Sequence, residues 1–431
     1  MEILLVAVFF VTYAAITLEH QTGVNKSAPA LIGAVVLWAI YAFGEGNMPL
    51  VTEHLNESLV TTAQIIFFLM GAMTIVEVVD SHGGFEIITS RIRTKRLSTL
   101  MWLVGTLTFF LSAVLDNLTT AIVMVSLMKK LLSKREDRLV FAGVIIIAAN
   151  AGGAWSPIGD VTTTMLWIGG QITAMVIMQS LFLPSVVAAL VPMLFFSWKM
   201  RHALVESPAE SLQPQSDLYP HANLMFFLGL GTLIAVPVFK TLTGLPPYMA
   251  MLLGLGLLWL VGDLIHRNKV PEEKQHLTLA SSLSRIDMGS LTFFIGILLA
   301  VATLEHSHVL TSLANWLDTV FGRQDVIVVL IGLASAVVDN VPLVAAAMGM
   351  YDLAKYPTDS FLWEFLAFCA GTGGSILVIG SAAGVAAMGL EKINFFWYVK
   401  HISALALVGY FAGALVYIFQ LVDSRTKCNF E

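Results

Sequence analysis

Apolar runs close to the length of a membrane-spanning helix recur from residue 3 to residue 420, and nothing else in the chain restricts its fold as strongly. A helix needs about 20 apolar residues to cross the hydrocarbon core, and inside lipid only helices and closed barrels satisfy every backbone polar group. The runs lie near 3–18, 28–43, 59–79, 98–128, 139–168, 174–197, 223–240, 248–262, 288–305, 326–350, 361–388 and 402–420. Charge content agrees: 12% of the 431 residues are charged, against about 25% in an ordinary soluble domain. A soluble enzyme could not cover its surface with so few charges. Two cysteines, Cys369 and Cys428, make neither a disulfide framework nor a metal cluster, and no basic patch suits a nucleic acid. The first run lacks a basic flank and a small-residue cleavage site, so it reads as a retained span. The expectation is an all-α polytopic protein, multi-pass in a bacterial inner membrane.

Loop charges orient the runs. Arg91, Arg93, Lys95 and Arg96 precede segment 98–128, and Lys129, Lys130, Lys134, Arg135 and Arg138 follow it. Basic loops stay in the cytoplasm, so this segment must enter and return as a re-entrant hairpin turning near Asp116-Asn117. The alternation closes along the chain if 326–350 is a second hairpin, entering from the other side. It also places both termini outside, together with a 44–58 loop that holds Glu45, Glu53 and Glu57 and no Lys or Arg. The polar stretch 203–222, with Pro208, Pro214 and Pro220, reads as a linker between a first part, 1–202, and a second, 223–431.

The two parts repeat. Phe67-Phe68 with Ser81-His82 matches Phe293-Phe294 with Ser307-His308. The hairpin run Ser112 through Asn117 matches Ser335 through Asn340, and Ala149 through Gly153 matches Ala370 through Gly374. The offsets are 226, 223 and 221, in order. With the hairpins entering from opposite sides, the repeat is inverted, the build of many secondary transporters. The fold expected is therefore an inverted-repeat transporter with two re-entrant helical hairpins and two broken transmembrane helices, 139–168 and 361–388.

Charge inside the apolar segments is sparse. Segment 98–128 holds Asp116, 139–168 holds Asp160, 326–350 holds Asp339, and 365–390 holds none. An ionisable group at membrane depth is costly and by default functional. The alternative is that Asp-Asn caps a short helix arm, and the two roles are compatible. The runs Asn150 through Asp160 and Gly371 through Ser375 are expected to unwind, because Gly costs about 1 kcal/mol and Pro about 3 in a helix. Unwound backbone offers carbonyl oxygens to a hard cation. Asn117, Asn150, Asn340, Thr162, Thr163, Ser335, Thr372 and Ser375 add neutral oxygens. These hairpins and broken helices contain no Lys, Arg or His. Three mutually close carboxylates cannot all stay ionised when empty; they would hold protons and release them when a cation enters, titrating as one unit. That is the minimal chemistry of cation/proton exchange, with Na+ or Li+ as cargo and no resident cofactor. Glu77 could join a proton path or pair with a neighbour. His82 and His308 could sense pH or be interfacial polar residues.

At these residues the chain resembles the NhaD-type sodium/proton antiporters of the ion transporter superfamily. The resemblance rests on Asp116-Asn117-Leu118-Thr119-Thr120, on Asn150 through Thr164, and on Asp339-Asn340 with Gly373-Gly374; it also takes in Glu19-His20 and Lys26-Ser27-Ala28-Pro29. It implies a homodimer, a role in pH homeostasis, and a scaffold that carries an elevator-like part made of hairpins and broken helices. Related dicarboxylate carriers place Ser-Asn-Thr at the hairpin tips, where this chain has Asp. Ser381 stands where repeat symmetry would put a partner for Asp160. A sodium-coupled anion symporter or oxyanion permease of the same superfamily would need a fixed positive group at the hairpins. An intramembrane aspartyl protease would need a carboxyl dyad and Gly-x-Gly-Asp, which Val337-Val338-Asp339-Asn340 does not match.

Overall fold

A computed structural model describes residues 1–85, 87, 94–205, 221–267 and 277–428, without the side chains of His20, Gln21 and 421–428. The linker prolines Pro208, Pro214 and Pro220, and Arg91 and Arg93, lie outside the described residues.

The chain opens with α1 (Glu2–Thr17), α2 (Ser27–Glu45) and α3 (Met48–Ser81). Gly46, at φ 69°, ends α2 in the left-handed region, and Pro49 starts α3, where its missing N–H costs nothing. The loop expected over 44–58 is therefore only Gly46-Asn47. Glu53 and Glu57 ride on the first turns of α3, a 34-residue helix about 51 Å long. Glu is a good helix former, and an apolar run marks only the lipid-depth part of such a helix.

Segment 98–128 is two helices, α4 (Leu97–Ser112) and α5 (Asn117–Leu131), and the next run is α6 (Arg135–Ala154) and α7 (Val161–Ile168). After α8 (Ala174–Lys199), α9 (Ala222–Thr243), α10 (Pro247–His266) and α11 (Met288–His306), the pattern returns. A helix not expected from apolar runs, α12 (Val309–Phe321), precedes it. It turns Leu310 and Ala314 inward and leaves Leu313, Trp316 and Val320 exposed. Then come α13 (Gln324–Ala334) and α14 (Asn340–Met350), α15 (Phe361–Gly373) and α16 (Ala382–Glu391), and the closing α17 (Phe395–Gln420). Eight helices among the described residues are long and apolar enough to cross a membrane.

Side-chain contacts fix the relative direction of these elements. Arg138, at the start of α6, donates to the carboxylate of Glu391, at the end of α16, at 3.2 Å. Thr173, just past α7, donates to Asp359, just ahead of α15, at 2.6 and 2.8 Å. The two broken helices therefore run antiparallel. Lys129, ending α5, donates to the Leu390 carbonyl at 2.5 Å. The other arm begins at the same end, because α8 starts beside Asp359 and runs 26 residues before the Ala203 carbonyl receives the Leu97 N–H at 3.1 Å. The second pair of arms has both ends at the opposite face: Gln324 donates to Tyr356 at 2.8 Å, and Tyr351 meets the same ring edge-on. The two hairpins thus point in opposite directions.

The glycine runs correct one expectation. Asn150–Ala154 stays helical in α6 and Gly371–Gly373 in α15; the breaks are 155–160 and 374–381. A Cβ on Gly152 would strike the Phe109 carbonyl oxygen, and one on Gly373 the Gly332 carbonyl oxygen. A Cβ on Gly159 would likewise strike the Ser112 carbonyl oxygen, and one on Gly380 those of Ser335 and Ala336. The Ser112 hydroxyl donates to Ala149 at 2.6 Å, and the Ser335 hydroxyl to Ala370 at 2.9 Å. Close packing of small residues outweighs the helix cost of Gly here.

Candidate ion site

All three acids cap helices. Asp116 accepts from the Thr119 N–H at 2.8 Å and its hydroxyl at 2.6 Å, opening α5. Asp160 accepts from the Thr162 N–H and hydroxyl, both at 2.9 Å, opening α7. Asp339 accepts from the Val341 N–H at 3.3 Å, opening α14. Ser381 does the same for α16 through the Gly384 N–H at 3.2 Å, with backbone angles of −144° and 155° beside −144° and 147° at Asp160. The mirrored position is thus the same turn, with a hydroxyl in place of a carboxylate.

Asp160 is the meeting point, 2% exposed. Its Oδ2 accepts from Asn117 Nδ2, on the first hairpin, at 2.7 Å and from Asn340 Nδ2, on the second, at 3.4 Å. Asn117 also donates to Asn150 Oδ1 at 3.0 Å, and Asn150 to the Ser381 hydroxyl at 3.0 Å. One polar chain therefore links both hairpin tips and both helix breaks. Asp116, Asn117, Asp160, Asp339 and Asn340 line one cavity, walled by apolar side chains of α3. Asp116 and Asp339 are near enough for their charges to act on Asp160. Among the described residues, however, no three His, Cys, Asp or Glu groups stand close enough to hold a metal ion. Each acid sits at its own helix start, and the asparagine amides of both hairpin tips turn to Asp160.

Other candidates turn to the backbone. Thr163 donates to Asp160 O at 2.9 Å, Thr372 to Phe368 O at 2.6 Å and Ser375 to Thr372 O at 2.6 Å. Ser335 staples the hairpin as described, and the Ser375 carbonyl accepts from Tyr398 at 2.8 Å. Thr164 also lines the cavity, with its hydroxyl on Pro157 O at 3.0 Å.

The expectation of a site without positive charge is overturned by Lys26. Its Nζ lies 3.3 Å from Asp339 Oδ2 and 4.4 Å from the centre of the Phe293 ring, and it lines the same cavity. It comes from the turn ahead of α2, outside the hairpins and broken helices; the signal that could have found it was its place in the run Lys26-Ser27-Ala28-Pro29. Glu77 pairs with Arg285 at 2.9 Å. His82 is buried, with Nε2 2.9 Å from His266 Nε2, and His308 starts α12 at a positive φ of 60°.

Known proteins resemble this chain, some in sequence and one in fold. A sequence profile of the citrate transporter family, CitMHS, matches residues 8–364. Sodium/proton antiporter 1 of Arabidopsis thaliana is 49% identical over 417 residues, 97% of this chain and 72% of that protein. Sodium/proton antiporter 2 of the same plant is 46% identical over 412 residues, 95% of this chain and 97% of that one. The Na+/H+ antiporter NhaD of Vibrio cholerae is 30% identical over 440 residues, 95% and 90% of the two chains. Among solved structures, the YdaH transporter of Alcanivorax borkumensis shares the fold at a TM-score of 0.57 and 13% identity, over 92% of this chain and 97% of that one.

Proposed function

Because the chain belongs to the CitMHS family and, within it, to the NhaD-type sodium/proton antiporters, we propose that it exchanges Na+ for H+ through Asp160, where the two hairpin tips meet. It is a multi-pass membrane protein and a secondary transporter. The observation that carries the site assignment is the pair of neutral amides, one from each hairpin, that converge on a single buried carboxylate. Neutral donors orient the carboxylate without cancelling its charge. An empty carboxylate at this depth is least costly when it carries a proton. An arriving alkali cation neutralises it instead, and the proton leaves. The amide oxygens of Asn117 and Asn340 are within reach to complete an oxygen shell once the amides rotate. Asp116 and Asp339 draw the cation in and hold the cavity potential negative. Li+ fits the same hard-oxygen chemistry, and a bacterial inner membrane is the setting we assign.

Citrate, the substrate in the family's description, fits this cavity poorly. Three carboxylates line it against one ammonium, and that ammonium is already paired with Asp339. The test is dequenching of a pH-sensitive dye in everted vesicles. NaCl and LiCl should dissipate the proton gradient; citrate should not. Asp160→Asn, which keeps shape but removes charge and titration, should abolish the Na+ response at matched expression. Sodium-driven citrate uptake without cation/proton exchange would refute the assignment.

A further inference from the structure

Lys26 is the one cation among the described residues that line the cavity, and it lies 313 positions from the acid it meets. Its backbone is anchored. The Lys26 N–H donates to the Glu19 carboxylate at 3.2 Å, and the Ser27 hydroxyl donates to Gly289 O, at the start of α11, at 2.7 Å. Its side chain is a flexible four-carbon stem that ends in a compact charge. That stem carries the ammonium across the Phe293 ring to Asp339. The Lys26 and Asp339 side chains keep 25% and 19% exposure, so the ammonium can move off the carboxylate without entering dry interior. Around this pair stand Tyr13 of α1, close to Asp339, and Asp160 across the cavity. Ammonium and Na+ carry the same charge, and where one sits on Asp339 Oδ2 the other cannot.

We propose that Lys26 is a tethered competitor of Na+: its ammonium occupies Asp339 in the empty carrier, swings off when Na+ binds, and returns to expel the ion. This rests on Asp339 belonging to the ion site. Buried Asp160 and half-buried Asp339 then differ in kind. Among the described residues no cation pairs with Asp160, which is held by neutral amides, whereas Asp339 has Lys26. Being tethered, the rival acts at a fixed effective concentration whatever the bulk medium contains. An ion pair closed about nine-tenths of the time raises the apparent constant for Na+ about tenfold.

The experiment uses the full chain, reconstituted for transport and in detergent for Na+-dependent melting. Lys26→Gln and Lys26→Met should each lower the apparent KM for Na+ about tenfold and also lower the maximal rate, because bound Na+ loses its rival. The Na+ midpoint of the melting shift should fall in parallel. Lys26→Arg, which keeps the charge, should leave the KM at or above wild type. In an Asp339→Asn background, adding Lys26→Gln should not move the melting midpoint. A KM unchanged or raised in both neutral variants would make Lys26 a structural pin between α2 and α14 and overturn the proposal. So would failure to recover either variant as folded protein. A different failure is separable: wild-type KM and rate in Asp339→Asn alone would remove Asp339 from the ion site, whatever Lys26 does.

Discussion

Asp160 and Ser381 share backbone angles and a capping role, yet one is a carboxylate and the other a hydroxyl. The charge at the centre of the molecule is therefore not duplicated, although its surroundings are. The two amides on Asp160 are not equivalent either: Asn117 donates at 2.7 Å and Asn340 at 3.4 Å. A hydrogen bond to a charged group contributes about 1.5–3 kcal/mol at good geometry and less when long. Asn117→Ala should raise the apparent KM for Na+ by roughly tenfold or more, and Asn340→Ala by clearly less, with exchange surviving in both. Equal effects, or a larger one at Asn340, would show that the long contact shortens in the working carrier. The three acids and their asparagines were legible in the sequence because charge and amides at membrane depth stand out against apolar runs. Lys26 was not, because it lies outside every such run and only folding carries it to Asp339. Thr372 and Ser375 resemble ligands by type, but their hydroxyls satisfy carbonyls one turn back, a local choice that composition does not reveal.

At the scale of elements, the hairpins and broken helices hold each other by backbone contact. Four glycines, Gly152, Gly159, Gly373 and Gly380, let carbonyls of the hairpin arms approach where any side chain would collide. Overpacking of a well-filled site costs about 1–3 kcal/mol, and a backbone neighbour gives way less readily than a flexible side chain. Gly152→Ala and Gly373→Ala should each lower the melting temperature in detergent and reduce transport. Gly231→Ala in α9, where a Cβ meets nothing, should be neutral or slightly stabilising. A Gly152→Ala protein as stable as wild type would mean that the arm can shift away. Basic residues at both ends of 98–128 made the first hairpin readable from the sequence. The length of α3 was not readable, since its first turns are polar, and neither was α12, whose apolar residues lie on one side of a short helix and form no continuous run.

For the molecule as a whole, the decisive arrangement is the antiparallel pair of broken helices, clasped by Arg138 with Glu391 at one end and by Thr173 with Asp359 at the other. It puts Ser98 and Ser133 at one face and Lys355, near Tyr356, at the opposite face. Single cysteines at Ser98 and Ser133 should react with an impermeant reagent from one side of the membrane, and a cysteine at Lys355 from the other. Labelling of Ser98 and Ser133 from opposite sides would turn the first hairpin into a simple span. The mirrored glycines carry this arrangement into a different kind of record. Every missense change at those four codons adds a Cβ, so no amino-acid replacement is conservative there. In a complete substitution library grown under sodium stress, they should appear as columns of uniform intolerance. Gly373 follows Gly152, and Gly380 follows Gly159, by the same 221 residues. Growth counts alone would then display the inverted duplication as a pair of gaps and its echo, legible to a reader who had never seen the fold.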